Sequence, residues 1–183
     1  MKSIYILLTC FLLCFNVSFS QFKTEVNKGL FYKIALSTTL SINKEYTVSN
    51  EDDSGPLINP SALFLNNTLG YQLDKRTSIG LNLEYNWHSQ QGLHFAPAYV
   101  SLRHNIILDD DNFFIRGGYG RLLGISKDFE KGNMYKLGLG IQIFDNNYRN
   151  SSLIGLDFTR KRFGYNKLEG LSSLSIFIEF MLF

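Results

Sequence analysis

A two-residue period that recurs eight times constrains this chain more than any other feature. In the first run Leu30, Tyr32, Ile34, Leu36, Thr38, Leu40 and Ile42 take every second position. Phe31, Lys33, Ala35, Ser37, Thr39 and Ser41 fill the places between. Side chains of a strand point alternately to its two faces, so this spacing predicts a strand with one apolar and one polar face. The second run sets Leu63, Leu65, Leu69, Tyr71 and Leu73 against Asn66, Thr68, Gly70 and Gln72. The third sets Ile79, Leu81, Leu83, Tyr85 and Trp87 against Ser78, Gly80, Asn82, Glu84, Asn86 and His88. The fourth, Ala96 to Ile107, contains Pro97, which has no N–H to give a ladder and is expected near that strand's end. Phe113, Ile115, Tyr119 and Leu123 mark the fifth run, and Tyr135, Leu137, Leu139, Ile141 and Ile143 the sixth. Ile154, Leu156 and Phe158 mark the seventh, and Leu174, Ile176, Ile178, Phe180 and Leu182 the eighth.

The connections alternate in length. Asn43–Pro60 is long, Asp74–Arg76 tight, Leu108–Asn112 and Asp145–Asn150 short, and Ile125–Gly132 and Lys161–Leu171 longer, with Ser89–His94 between these extremes. Clusters such as Asp74-Lys75-Arg76 and Asp145-Asn146-Asn147 carry turn chemistry. An antiparallel up-and-down meander with its long loops at one end fits the series.

The composition of the two faces decides which one points inward. The polar face carries Ser, Thr, Asn, isolated charges and the glycines Gly70, Gly80, Gly118, Gly120, Gly138, Gly140 and Gly155. An eight-stranded barrel has room inside for side chains and little else. Bulky Leu, Ile and Tyr from all eight strands would overfill it, so the apolar face is expected outward, in lipid. Only helices and closed barrels satisfy every backbone group there. The expected fold is therefore all-β: an eight-stranded antiparallel up-and-down transmembrane β-barrel over residues 30–183. Tyr32, Tyr71 and Phe113 would lie near one interface and Tyr85, Trp87, Tyr119, Tyr135 and Phe158 near the other, as an aromatic girdle.

The first twenty residues read as an address. Met1-Lys2 precedes an apolar run from Ile4 to Phe15, and Ser18 and Ser20 supply the small-x-small pattern of a signal peptidase site, with cleavage expected between Ser20 and Gln21. A run of that length is too short to cross a bilayer, which needs about 20 residues. Both cysteines, Cys10 and Cys14, lie within it, so the exported chain holds no disulfide. Residues 21–29 would form a short periplasmic segment. The balance of 18 Lys+Arg against 16 Asp+Glu lacks the basic footprint of a nucleic-acid binder.

Taken together, the export signal, the eight alternating runs and the long-short loop series resemble the small outer-membrane β-barrels, of the OmpA transmembrane domain and OmpX type, over essentially all of residues 30–183. The closing segment Ser175-Ile176-Phe177-Ile178-Glu179-Phe180-Met181-Leu182-Phe183 resembles the terminal strand that barrel-assembly machinery recognises. It departs from that pattern in one respect: Phe183 is in phase with Glu179 and not with Leu182. The resemblance implies a Gram-negative outer membrane, lipid and lipopolysaccharide as surroundings, the assembly machinery as a partner during biogenesis, and a monomer.

The expected inward charges are Lys33, Glu84, Arg103, Arg116, Lys136, Asp157 and Glu179, with His88 near the top. Charges cut off from water must pair. Lys136 with Asp157, and Lys33 with Glu179 across the closure of the barrel, are the expected pairs in a central network that makes the barrel a plugged post. The candidate for catalysis is His88 with Ser89, because lipid A deacylases carry a His and a Ser on one strand face. Here the two are adjacent, so a strand would send them to opposite faces. His94 and His104 lack metal-ligand spacing, and no cofactor is expected. Glu51-Asp52-Asp53 in the first long loop could hold a divalent cation or oppose lipopolysaccharide counter-ions. The leading expectation is a structural or surface-interaction role carried by the loops, with a lipid-modifying hydrolase or a small pore as alternatives.

Overall fold

The computed structural model describes residues 28–42, 58–89, 92–108, 111–145, 150–164 and 169–183. Nine strands follow in chain order: β1 (Gly29–Ile42), β2 (Ile58–Gln72), β3 (Thr77–His88), β4 (Leu93–Phe95), β5 (Pro97–Ile107), β6 (Asp111–Leu122), β7 (Gly132–Phe144), β8 (Asn150–Phe163) and β9 (Glu169–Leu182). Short β4 and long β5 both pair with β3 and are successive pieces of one wall, so the nine strands make an eight-stranded barrel. Every ladder between strands is antiparallel, and β1 pairs with β9 to close the ring. Closure leaves no long unpaired sheet edge. The break between β4 and β5 falls at Ala96, immediately before Pro97, which opens β5 where a missing N–H costs least.

The largest departures from the expected boundaries fall in two hairpins. β2 begins at Ile58, inside the expected loop Asn43–Pro60. β8 runs on to Phe163 and β9 starts at Glu169, so Lys161, expected in a loop, is a strand residue. Both differences lengthen a hairpin at the end with the longer connections, where ladder pairing can continue beyond the apolar runs that set the period. The candidate cation positions Glu51, Asp52 and Asp53, and the segment 1–27, lie outside the described residues.

The barrel is inverted relative to a water-soluble one. Leu36, Leu81, Leu137, Ile178 and their neighbours on every strand face outward and stay exposed, while Asn82, Glu84, Asp157 and Glu179 are buried inside. A monomer in water rarely shows contiguous apolar surface above a few hundred Å². Tyr32, Tyr71, Tyr85, Trp87, Tyr119, Tyr135 and Phe158 lie on this outer surface, and Phe113 is half-buried. Polar Asn67 also faces out, and the Tyr32 hydroxyl donates to its Oδ1 at 2.5 Å.

Phe183 keeps the inward phase of Glu179 and packs edge-on against Phe31 with ring centroids 5.9 Å apart. The terminal residue thus departs from the outward position that the assembly pattern calls for. No bulge intervenes in the β1–β9 or β8–β9 ladder to change its phase.

Candidate functional site: a layered barrel interior

The lumen is filled in three layers. At the end where β1 begins, β9 ends and the short connections lie (the turn end), Phe31, Phe114, Leu153, Phe177 and Met181 form a buried apolar cluster. At the opposite, loop end, Phe95, Tyr99, Leu122, Met134 and Phe163 form a second one. Glycines on facing positions make the room. A Cβ on Gly70 would come within 2.2 Å of the Phe31 ring, and one on Gly155 within 2.8 Å of Phe177. The small inward residues thus admit large aromatics beside them.

Between the clusters lies an unbroken chain of ion pairs. Strand parity directs each member inward, and the register sets it at the barrel's midsection. Lys33 of β1 donates to Glu179 Oε2 of β9 at 3.1 Å. Arg116 reaches from β6 across the lumen: Nη1 donates to Glu179 Oε1, Nε to Asp157 Oδ1 at 2.9 Å and Nη2 to Asp157 Oδ2 at 2.6 Å. Lys136 Nζ of β7 lies 3.8 Å from Asp157 Oδ2 and donates to Glu84 Oε2 of β3. The Tyr99 hydroxyl of β5 donates to the same Glu84 oxygen at 3.0 Å. Three cations thus meet three carboxylates, and the chain ties together seven of the eight barrel walls, all but β2. The Arg116 guanidinium also lies 3.9 Å above the Phe177 ring centre, a cation–π contact that joins this layer to the apolar cluster below it.

Beside the ions, a neutral patch covers the wall of β2, β3 and β5. Thr68 donates to Asn82 Oδ1 at 2.7 Å, and Asn82 Nδ2 donates to Ser101 Oγ at 2.8 Å. The void against it, bounded by Lys33, Tyr99, Arg116 and Lys136 among others, measures about 10 Å³. That is about the least space that holds one water molecule.

The seven charges expected inside are all placed there, but Arg103 stays out of the ion pairs. It sits opposite Arg116 on the neighbouring strand and donates instead to Gln72 Oε1 at 3.0 Å, with its guanidinium 5.6 Å from the Phe114 ring centre. Parity places a side chain on a face but does not say which way it tips, and like charge turns these two apart. The eighth inward charge, missed in the sequence, is Lys161. Its Nζ is 3.0 Å from His88 Nε2 and lies 4.6 Å and 5.0 Å from the ring centres of Phe64 and Phe95. Its parity with Asp157 was the available signal; placing it in a loop hid it.

Lys161 also accounts for His88. The His88 ring turns inward, packed against Phe64 and Phe95, whereas the Ser89 hydroxyl donates to the Ser61 carbonyl at 3.0 Å. The two residues of the catalytic candidate are therefore not brought together. His94 Nδ1 lies 2.9 Å from the Tyr85 hydroxyl and His104 Nδ1 3.2 Å from Thr77 Oγ1. Among the described residues no group of three His, Cys, Asp or Glu could hold a metal ion. At the turn end, Asp74 accepts from the backbone N–H groups of Arg76 and Thr77 at 2.7 Å and 2.6 Å. These bonds favour its charged form and hold its carboxyl below the usual value.

No protein-family model matches the chain. No curated protein matches it by sequence. Its fold is that of small outer-membrane barrels. The crystal structure of Neisserial surface protein A superposes with a TM-score of 0.58 at 9% identity, covering 84% of this chain and 96% of that one. The N-terminal β-barrel domain of Pseudomonas aeruginosa OprF gives 0.50 at 12% identity, covering 85% and 99%. At such identities the likeness concerns the course of the backbone, and any role rests on this chain's own residues.

Proposed function

We propose that this chain is a monomeric integral protein of a Gram-negative outer membrane, with a lumen closed to solutes and a structural or surface-interaction role exerted through its loop end. In this reading residues 1–20 are a cleaved export signal and residues 21–29 a periplasmic lead-in. Outer-membrane lipid surrounds the barrel, and barrel-assembly machinery inserts it. The observation that carries the reading is the inversion of the two faces: apolar side chains ring the outside, and a neutral lattice of three cations and three carboxylates crosses the inside. The apolar clusters above and below that lattice, and the 10 Å³ void beside it, support a sealed post over a water-filled pore.

The test is migration of the boiled and unboiled protein from an isolated outer-membrane fraction, followed by planar-bilayer recording. A barrel that shifts on boiling and gives no reproducible conductance step is the expected result. A soluble protein without the shift overturns the location, and steady conductance overturns the seal. For the hydrolase alternative, incubation with lipid A and phospholipids is expected to leave their masses unchanged. A product lost in H88A would reverse that.

A further inference from the structure

The outward-facing strand positions carry almost no charge. Among the described residues the charged ones are Asp111 at the turn end and Arg121, Arg160 and Arg162 at the loop end. The three arginines are clustered by register. Arg121 of β6, Asn133 of β7 and Arg162 of β8 form one row across three adjoining strands. Tyr119, Tyr135 and Arg160 form the next row toward the barrel's middle, and the two tyrosine rings touch with centroids 5.1 Å apart. Neighbouring strands lie about 4.8 Å apart, so Arg121 and Arg162 stand about 10 Å apart with an amide between them. Arg160 lies flat over Gly170, whose Cβ would fall 2.4 Å from a guanidinium nitrogen, and it donates to Ser172 Oγ at 2.7 Å.

No carboxylate among the described residues comes within ion-pair distance of these arginines, and Arg121 and Arg162 have no hydrogen-bond partner among them either. The loop above adds an open cleft of about 560 Å³ lined by Ser126, Lys127, Phe129, Glu130 and Lys131 with Gly164. Its Lys127 and Lys131 are offset by Asp128 and Glu130, so the arginines supply the excess positive charge. A guanidinium held at the rim of an apolar surface, beside an aromatic band, is placed at headgroup depth. Its fork matches two oxygens of a phosphate.

We propose that Arg121, Arg160 and Arg162 form a clamp for the phosphate groups of a phosphorylated glycolipid of the lipid A class, with its sugar in the cleft above and its acyl chains against the apolar wall below Tyr119 and Tyr135. The occupant is a lipid and not free phosphate, because the charges border a wall of exposed Leu137, Leu139 and Phe158 that acyl chains would cover. The inference rests on the outer-membrane reading, and it orients the barrel with its loop end in the leaflet that holds the glycolipid.

The test uses the folded full-length mature chain in detergent, titrated with diphosphoryl lipid A and followed by native mass spectrometry. R121Q/R160Q/R162Q is expected to bind about tenfold more weakly, a total of about 1.4 kcal/mol shared among the three cations. K28Q/K75Q, changed at the opposite end, is expected to bind as the parent does. Chemically dephosphorylated lipid A is expected to bind the parent as weakly as the triple variant binds the intact lipid. Equal binding by parent and triple variant, or by the two lipids, overturns the clamp. Displacement of the lipid by millimolar inorganic phosphate overturns it in favour of a free-anion site. The boiling shift is read on the same samples. A parent that shifts and inserts into vesicles but ignores lipid A sinks the clamp alone, whereas a parent that never inserts sinks both readings.

Discussion

Replacing Asp157 by Asn removes one carboxylate from the middle of the ionic lattice while keeping its shape. Asp157 is fully buried, accepts two hydrogen bonds from Arg116 and faces Lys136 at 3.8 Å. At an effective dielectric near 20, the Lys136 contact alone is an attraction of about 4 kcal/mol. Part of that is returned, because the carboxylate no longer has to leave water. Removing one partner of a buried pair still leaves an uncompensated cation, and the measured net loss for such changes is about 3–5 kcal/mol. With a urea slope of about 2 kcal/mol per molar, the unfolding midpoint should fall by about 2 M. Trp87, the chain's one tryptophan, reports this directly, since it faces outward where lipid would surround it. The assay is urea titration of Trp87 fluorescence in lipid vesicles, with the boiling shift as a check that the variant inserts. The double variant D157L/R116M, which removes both charges and leaves Lys33 with Glu179, should recover part of the loss. A midpoint for D157N within about 0.3 M of the parent would refute the reasoning, because it would mean that interior water already solvates these charges.

Three other outcomes follow from the same geometry. Gly138→Ala places a Cβ 2.1 Å from Asp157 Oδ1 and 3.0 Å from the Arg116 side chain, so it should cost about 1–3 kcal/mol in the same titration; a silent substitution would place the lattice elsewhere. Lys161→Met removes a buried cation that has no carboxylate at ion-pair distance among the described residues. It should leave stability unchanged or raise it, since a desolvation cost of several kcal/mol outweighs the two cation–π contacts with Phe64 and Phe95, about 1–2 kcal/mol each, and a lowered thermal midpoint would reverse that order. Asp74→Ala should weaken the β2–β3 turn at neutral pH. The Asp74 carboxyl is held below its unfolded value of 3.8, so its contribution is complete above that value and is lost as pH falls through the lower, folded one. The midpoint difference between parent and variant should therefore shrink on acidification, and a difference independent of pH would exclude the carboxylate as its source.

The periodicity of the chain by itself determined the strand count, the antiparallel order and which face of each strand turns inward. Side chains of a strand have only two directions, so Lys33, Asp157 and Glu179 could be assigned to the lumen from parity alone. Loops that end a run hide the parity beyond them, which is why Lys161 went unread although it continues the phase of Asp157. The tertiary structure decided what parity leaves open. Closure set Glu179 of β9 beside Lys33 of β1, 146 residues away in the chain. Cross-lumen distance let Arg116 span to β8 and β9, because its long side chain reaches farther than neighbouring strands stand apart. It also turned Arg103 away from Arg116, drew His88 toward Lys161 and away from Ser89, and aligned Arg121 with Arg162 across an intervening strand. Each of these depends on height along the barrel axis, which comes from the stagger between ladders and has no counterpart in a pattern of alternate residues.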